Sequence, residues 1–360
     1  ILSTQDVLEQ SKKTESDVIE QMAYAARKLE AEVDTMLASI HTQLQLDSPK
    51  RFENVQTLYL QSIRLEETYH LERKAFWDYA WYLMRQNKYQ EAYKISQSNL
   101  KWVEHQEQPA HGVLIEALTL IGRCERMLYQ EHLALNTFKK AIDIEKAYLM
   151  TYPNESQYTL ATLYDSIGLV YKSLHQWHHA KTHFISARDI YQNVFDLNDN
   201  EAKIDLAINR QLIGSMYASM LLYDESIKMY EEALSIWHND HQSSDEIKET
   251  RIAEIYEDIS EIYLNNKRLV EAETMINQSY EINQKWYEKN PERYGHRFVR
   301  SIDNLSLLHY KNDQFEESVT FFIKGLDILR ALTKANPFEY GQTLLYKLLE
   351  FARRYFKVFS

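Results

Sequence analysis

The chain has 360 residues, a formal net charge of −12, and only seven glycines and five prolines. So few turn-forming residues exclude a β-sandwich or barrel, which needs them after every strand or two, while 44% hydrophobic content is enough to bury a large core. The acidic balance argues against general nucleic-acid binding, which needs basic patches, and no apolar run approaches the roughly 18 residues of a membrane span.

The chain opens at Ile1, without a basic-then-apolar signal segment, and is expected to be a fragment or a processed product. Over residues 1–48, Ile19, Met22, Ala26, Leu29, Val33, Met36 and Ile40 recur at alternating steps of three and four. That is a heptad seam, which predicts one long helix. Such a helix either packs on the helices that follow or pairs with a second copy as a coiled coil. Residues 32–69 resemble a degenerate helical pair, with Pro49 in the turn and Phe52, Val55 and Tyr59 on the second helix. A clearer pair follows around Phe76, Ala80, Leu83, Tyr89 and Ala92.

From there a fixed period takes over. Gly122, Gly168, Gly214, Ser260, Ser306 and Ala352 are small residues at intervals of 46. The same interval separates Phe138, Phe184, Tyr230, Ile276 and Phe322, and also Ala134, Ala180, Ser226, Ala272 and Ser318. Within one period, Leu160, Leu163, Ile167, Val170 and Leu174 trace one helical face, and Trp177, Ala180, Phe184, Ala187, Ile190 and Val194 trace another. Ser173 to Gln176 is the turn between them. Each unit is therefore two antiparallel helices, whose small residues allow close approach. Pro153, Asp199, Asp245, Pro291 and Pro337 punctuate successive units, and Pro109 marks an earlier junction two residues out of register. Proline collects at such boundaries because it breaks a helix interior. Residues 49–343 are the expected array. Residues 344–360 form a last first-helix that reaches the next turn at Lys357 to Ser360, either as a cap or as a truncated repeat.

The combination of Leu163, Ile167-Gly168, Tyr171, Trp177, Ala180, Phe184 and Ala187, renewed at Ile213-Gly214, Tyr217, Tyr223, Tyr230 and Ala233, resembles the tetratricopeptide repeat (TPR) family. The period is longer than the common 34 residues. It is similar to kinesin-light-chain-like repeats and their bacterial relatives, as are the Asn290-Pro291 and Asn336-Pro337 junctions. The resemblance implies an all-α, right-handed superhelix whose first helices line a concave face that takes peptides or proteins.

Little in the chain suggests catalysis, a cofactor or a metal. There is no Gly-rich phosphate loop and no nucleophile elbow. With Cys124 as the one cysteine, no internal disulfide and no cysteine zinc cage can form. His179 and His183 are one turn apart and His175 and His178 lie nearby, but no third ligand accompanies them. Carried over position by position, the resemblance places Trp77, Trp81, Arg123, Arg126, Asp165, Lys172, Gln211, Ser215, Glu257 and Glu261 on the inner face. Arg123, Arg126 and Lys172 make a basic patch, and Glu254, Glu257 and Glu261 an acidic stripe, so the face would orient a partner by charge. The Lys and Asn clamp of chaperone-binding members is absent at these positions. The expected function is a non-catalytic, cytoplasmic, bacterial scaffold for a protein or peptide. Alternatives are a regulatory module of a larger signalling protein or enzyme, and a peptide-pheromone-responsive regulator. Neither nucleic acid nor membrane is expected as a partner.

Overall fold

The structure is a computed structural model and describes residues 23–40, 42–43, 51–69, 73–106, 111–153, 155–195 and 200–359. Ile19, Met22, Pro49, Pro109 and Asp199 lie outside the described residues. Every described element is a helix: α1 (23–40), α2 (Arg51–Tyr69), α3 (Lys74–Arg85), α4 (Tyr89–Glu104), α5 (His111–Met127), α6 (Glu131–Thr151), α7 (Tyr158–Ser173), α8 (Trp177–Phe195), α9 (Asn200–Ser219), α10 (Tyr223–His238), α11 (Asp245–Asn265), α12 (Leu269–Lys289), α13 (Pro291–Lys311), α14 (Phe315–Ala335) and α15 (Pro337–Phe359). The chain forms two compact units, residues 1–120 and 121–360, divided within α5.

In the first unit, the heptad seam of α1 is used locally. Val33 and Ile40 are buried, and Met36 Sδ lies 3.4 Å from Ser62 Oγ of α2. These seam positions are therefore spent inside the unit. Val55 and Tyr59 of α2 and Phe76, Ala80 and Leu83 of α3 complete the core. Glu66, almost fully buried, accepts hydrogen bonds from the backbone N–H groups of Ala75 (2.6 Å) and Phe76 (3.3 Å) at the start of α3. It thus supplies from α2 the acceptor that a helix N-terminus lacks. Burial nevertheless pushes its carboxyl up to about 7.

In the second unit the 46-residue register becomes a packing rule. A Cβ on Gly168 would lie 2.7 Å from the ring of Phe184, and one on Gly122 would lie 2.8 Å from that of Phe138. The aromatic of each second helix thus occupies the space that the missing side chain leaves. Ala134, Ala180 and Ala272 are fully buried beside them. Where serine replaces alanine in that column, it satisfies its hydroxyl locally: Ser226 donates to the Gly214 carbonyl and Ser318 to that of Ser306, both at 2.7 Å. Glu125 stands where later repeats carry Tyr171 and Tyr217. It is buried and accepts from Thr137 Oγ1 at 2.7 Å.

The turn inside each pair has a conformation that residue types did not announce. Asn87, Tyr129, His175, Leu221, Lys267 and Asp313 all have φ between 56° and 61°. The residue after each donates its N–H to the carbonyl five residues back, at 2.9 Å in all six turns. This is the Schellman arrangement, normally closed by glycine. Between pairs, Asn290 ends α12 and caps α13: its side chain accepts from the Arg293 N–H at 3.0 Å, and Pro291 occupies the first helical turn. The C-terminal helix differs from expectation. It continues to Phe359, through the stretch that register assigns to a turn. The positive-φ position held by Asp313 one repeat earlier corresponds to Phe359, where α15 is still helical.

Candidate functional site

The first helices of successive pairs pack side by side, and a polar ladder runs between them. Its rungs join residues 42–44 apart, slightly less than one repeat. Asn209 Nδ2 of α9 donates to Asp165 of α7 at 2.6 Å, and Ser301 Oγ of α13 donates to Glu257 of α11 at 2.7 Å. Asn283 Nδ2 of α12 reaches the same Glu257 oxygen at 2.9 Å, and Lys347 of α15 pairs with Asp303 of α13. Asp165 and Glu257, expected to face a partner, are thus buried rungs of this ladder. Burial pushes Asp165 up to about 8 and Glu257 up to about 7, against the pull of their hydrogen-bond donors and, for Glu257, of Arg300.

The acidic stripe is also largely neutralised. Glu254 pairs with Arg251 at 2.9 Å and with Arg297 of α13. Arg300 Nε lies 3.2 Å from Glu257, and its terminal nitrogen lies 2.6 Å from Asp258. Burial alone would lower the pKa of Arg300, but these carboxylates outweigh it and hold it up. Glu261, exposed, is the member of the stripe left facing water.

The basic patch behaves differently. Arg123, Arg126 and Lys172 are half-buried on α5 and α7. Burial and then the neighbouring Arg126 press Arg123 below its ordinary value. Lys172 is lowered by burial, with Asp258 opposing and Arg126 adding to the effect. Lys172 Nζ donates to Ser215 of α9, which also interacts with the buried Tyr230 hydroxyl. The structure therefore brings together Arg123, Arg126, Lys172 and Ser215, with Asp258 and Arg300 across the face. Gln211 is half-buried on α9. Trp77 and Trp81 are half-buried on α3 in the first unit. Arg300 and Asp258 were not singled out by sequence reasoning, and Tyr230 was read there only as a packing residue of the repeat. The signal for Arg300 was present, as a basic residue 42 and 43 positions after two acids, but it becomes visible only at an offset shorter than the repeat.

Cys124 is buried. Among the described residues, no group of three or more His, Cys, Asp or Glu is placed to hold a metal ion, and no helix is long and apolar enough to cross a membrane. A cavity of about 250 Å³ lined by Gln192, Leu206, Arg210, Glu232, Ser235 and Ile236 is open to solvent. It falls below the roughly 300–1,000 Å³ of typical small-ligand sites.

With the paired helices and their 46-residue register established, the comparisons are consistent. The profile of the tetratricopeptide repeat matches residues 299–337, the α13–α14 pair with its Asn-Pro exit. The chain has a tetratricopeptide-repeat fold. Among solved structures, the apo form of RapI superposes with a TM-score of 0.56 at 11% identity, covering 84% of this chain and 99% of that one. The apo quorum sensor NprR from B. thuringiensis gives 0.54 at 16% identity, covering 91% and 82%. NprR in complex with its cognate peptide NprX gives 0.52 at 17%, covering 92% and 85%. No curated protein sequence matches the chain.

Proposed function

We propose that this TPR array binds a protein or peptide segment on the first-helix face of residues 121–360, without catalysis of its own. The observation that carries the reading is the like-charge cluster of Arg123, Arg126 and Lys172. Each of the two flanking cations is held below its ordinary pKa by burial, and Arg126 adds to that. An incoming carboxylate would relieve the repulsion and be held by charge-assisted hydrogen bonds. Asp205 is taken up by Tyr158 and offsets part of the repulsion at Arg123, and the other acids of the face are held by the ladder or by Arg251, Arg297 and Arg300, so the face selects for negative groups at its α5–α7 end. Glu261 would set the opposite preference beyond it.

A more specific reading is a peptide-responsive regulator in a bacterial cytoplasm. It is supported by the likeness of fold to the quorum sensor NprR, both free and with its peptide. Selection from a displayed random-peptide library, with the Arg126→Glu/Lys172→Glu variant as counter-target, tests both. Enriched peptides should carry an acidic residue or a free C-terminal carboxylate and lose about tenfold or more in affinity for the variant. Equal affinity for both proteins would remove this face as the binding surface.

A further inference from the structure

The second helices carry a different surface. Lys139 and Lys146 project from α6, His179 and His183 from α8, and the rings of Tyr164 and Tyr171 from α7 lie between them. His183 is stacked on Tyr171 with centroids 5.4 Å apart and planes 4° apart, and its ring lies 5.6 Å from Tyr164. His179 also stacks on Tyr171, with centroids 5.1 Å apart, and Lys146 Nζ sits 5.6 Å over the Tyr164 ring. These rings are therefore held in place by stacking rather than left to sample solvent. Burial depresses the His183 pKa first, and His179, Lys146 and Lys139 depress it further. On a chain of net charge −12, this is a local concentration of positive charge. Asp143, exposed, and Glu145, buried with its carboxyl pushed up by burial, are the two acids between these lysines on α6.

We propose that this cationic surface between α6 and α8 is a second docking site, for an acidic peptide segment in extended form. The spacing favours a segment over a single anion. Lys139 and Lys146 are about 10 Å apart along α6, and His179 and His183 about 6 Å apart along α8, at the helical rise per residue. Two such rows match carboxylates on an extended strand of about three or four residues. The exposed His179 ring and the half-buried His183 and Tyr164 rings supply flat area for the stem of the segment. The groups facing His183 are Lys139 and Lys146 from α6, Tyr164 and Tyr171 from α7 and His179 from α8.

Fluorescein-labelled hexaglutamate tests this by anisotropy at low ionic strength at pH 7.5. The intact chain should bind it saturably. Lys139→Glu/Lys146→Glu should weaken binding by about tenfold or more, and His179→Ala/His183→Ala, which removes the stacked rings, should weaken it as well. Both variants should retain the parent's circular dichroism. Full affinity in the double-glutamate variant, or the same loss on Arg126→Glu/Lys172→Glu, would overturn the site. Displacement of hexaglutamate by equimolar inorganic phosphate would overturn the extended segment as its occupant.

Discussion

Gly168 is buried and faces Phe184, whose Cε1 and Cδ1 would lie 2.7 and 2.8 Å from a new Cβ. Comfortable carbon contacts are about 3.5–4.0 Å, so Gly168→Ala must push the ring or α7 by nearly 1 Å. Phe184 has no exposure and so no easy exit. Overpacking of this kind costs about 1–3 kcal/mol, while alanine gains about 1 kcal/mol in helix propensity over glycine. Gly341 in α15 is the control, because nothing lies within 4 Å of its Cβ direction. Gly341→Ala should collect the propensity gain alone. The difference between the two variants isolates the packing term, about 1–3 kcal/mol. At roughly 2–4 °C per kcal/mol for a unit of this size, Gly168→Ala should melt several degrees below Gly341→Ala. Thermal unfolding followed by circular dichroism at 222 nm reads it directly. If both substitutions raise Tm equally, the close approach of α7 and α8 is wrong and the pairing scheme with it.

Leu221→Gly should stabilise by about 1 kcal/mol, since leucine there adopts a left-handed backbone that disfavours a branched side chain; a lower urea midpoint would refute it. Asp165 stays protonated in the folded chain up to about pH 8 but ionises near pH 4 when unfolded. The folded state then binds the extra proton, so this group makes stability fall as pH rises from about 4 to about 8, by up to about 1.4 kcal/mol per unit. Asp165→Asn should flatten that fall, and an unchanged slope of urea midpoint against pH would contradict the burial. Lys347, buried and lying 4.3 Å from the centroid of the Phe322 ring, pairs with Asp303. Lys347→Met should be neutral or stabilising, whereas Asp303→Ala, which strands the ammonium, should cost about 3 kcal/mol; the reverse order in chemical denaturation would show that the ion pair itself stabilises.

The helix pairs were legible because their cause is local and repeated. Gly168 and Phe184 must match, and so must Gly122 and Phe138, which imprints one interval on the chain. The turns were legible as turns but not in conformation, because Tyr129, Leu221 and Lys267 occupy a position where glycine would have announced it. The face was legible as a list but not as a surface. Asp165 and Glu257 sit at positions where the resemblance implies an inner-facing side chain. Their fate is decided by Asn209, Ser301 and Arg300, which belong to the following repeat and are offset from it. Conversely, Lys172 carries the same kind of label and stays half-buried, because Ser215 rather than a carboxylate stands at the corresponding place in α9.

The ladder between first helices also bears on how such a chain could grow. Repeats built on one template risk joining in the wrong order, since the apolar columns are nearly interchangeable. The rungs are not: amide to carboxylate between α7 and α9, hydroxyl and guanidinium to carboxylate between α11 and α13, ammonium to carboxylate between α13 and α15. Exchanging two repeats would bury a carboxylate or an ammonium against a neighbour unable to answer it. Each junction therefore acts as an address label, and a duplicated copy would need new rungs before it could be kept.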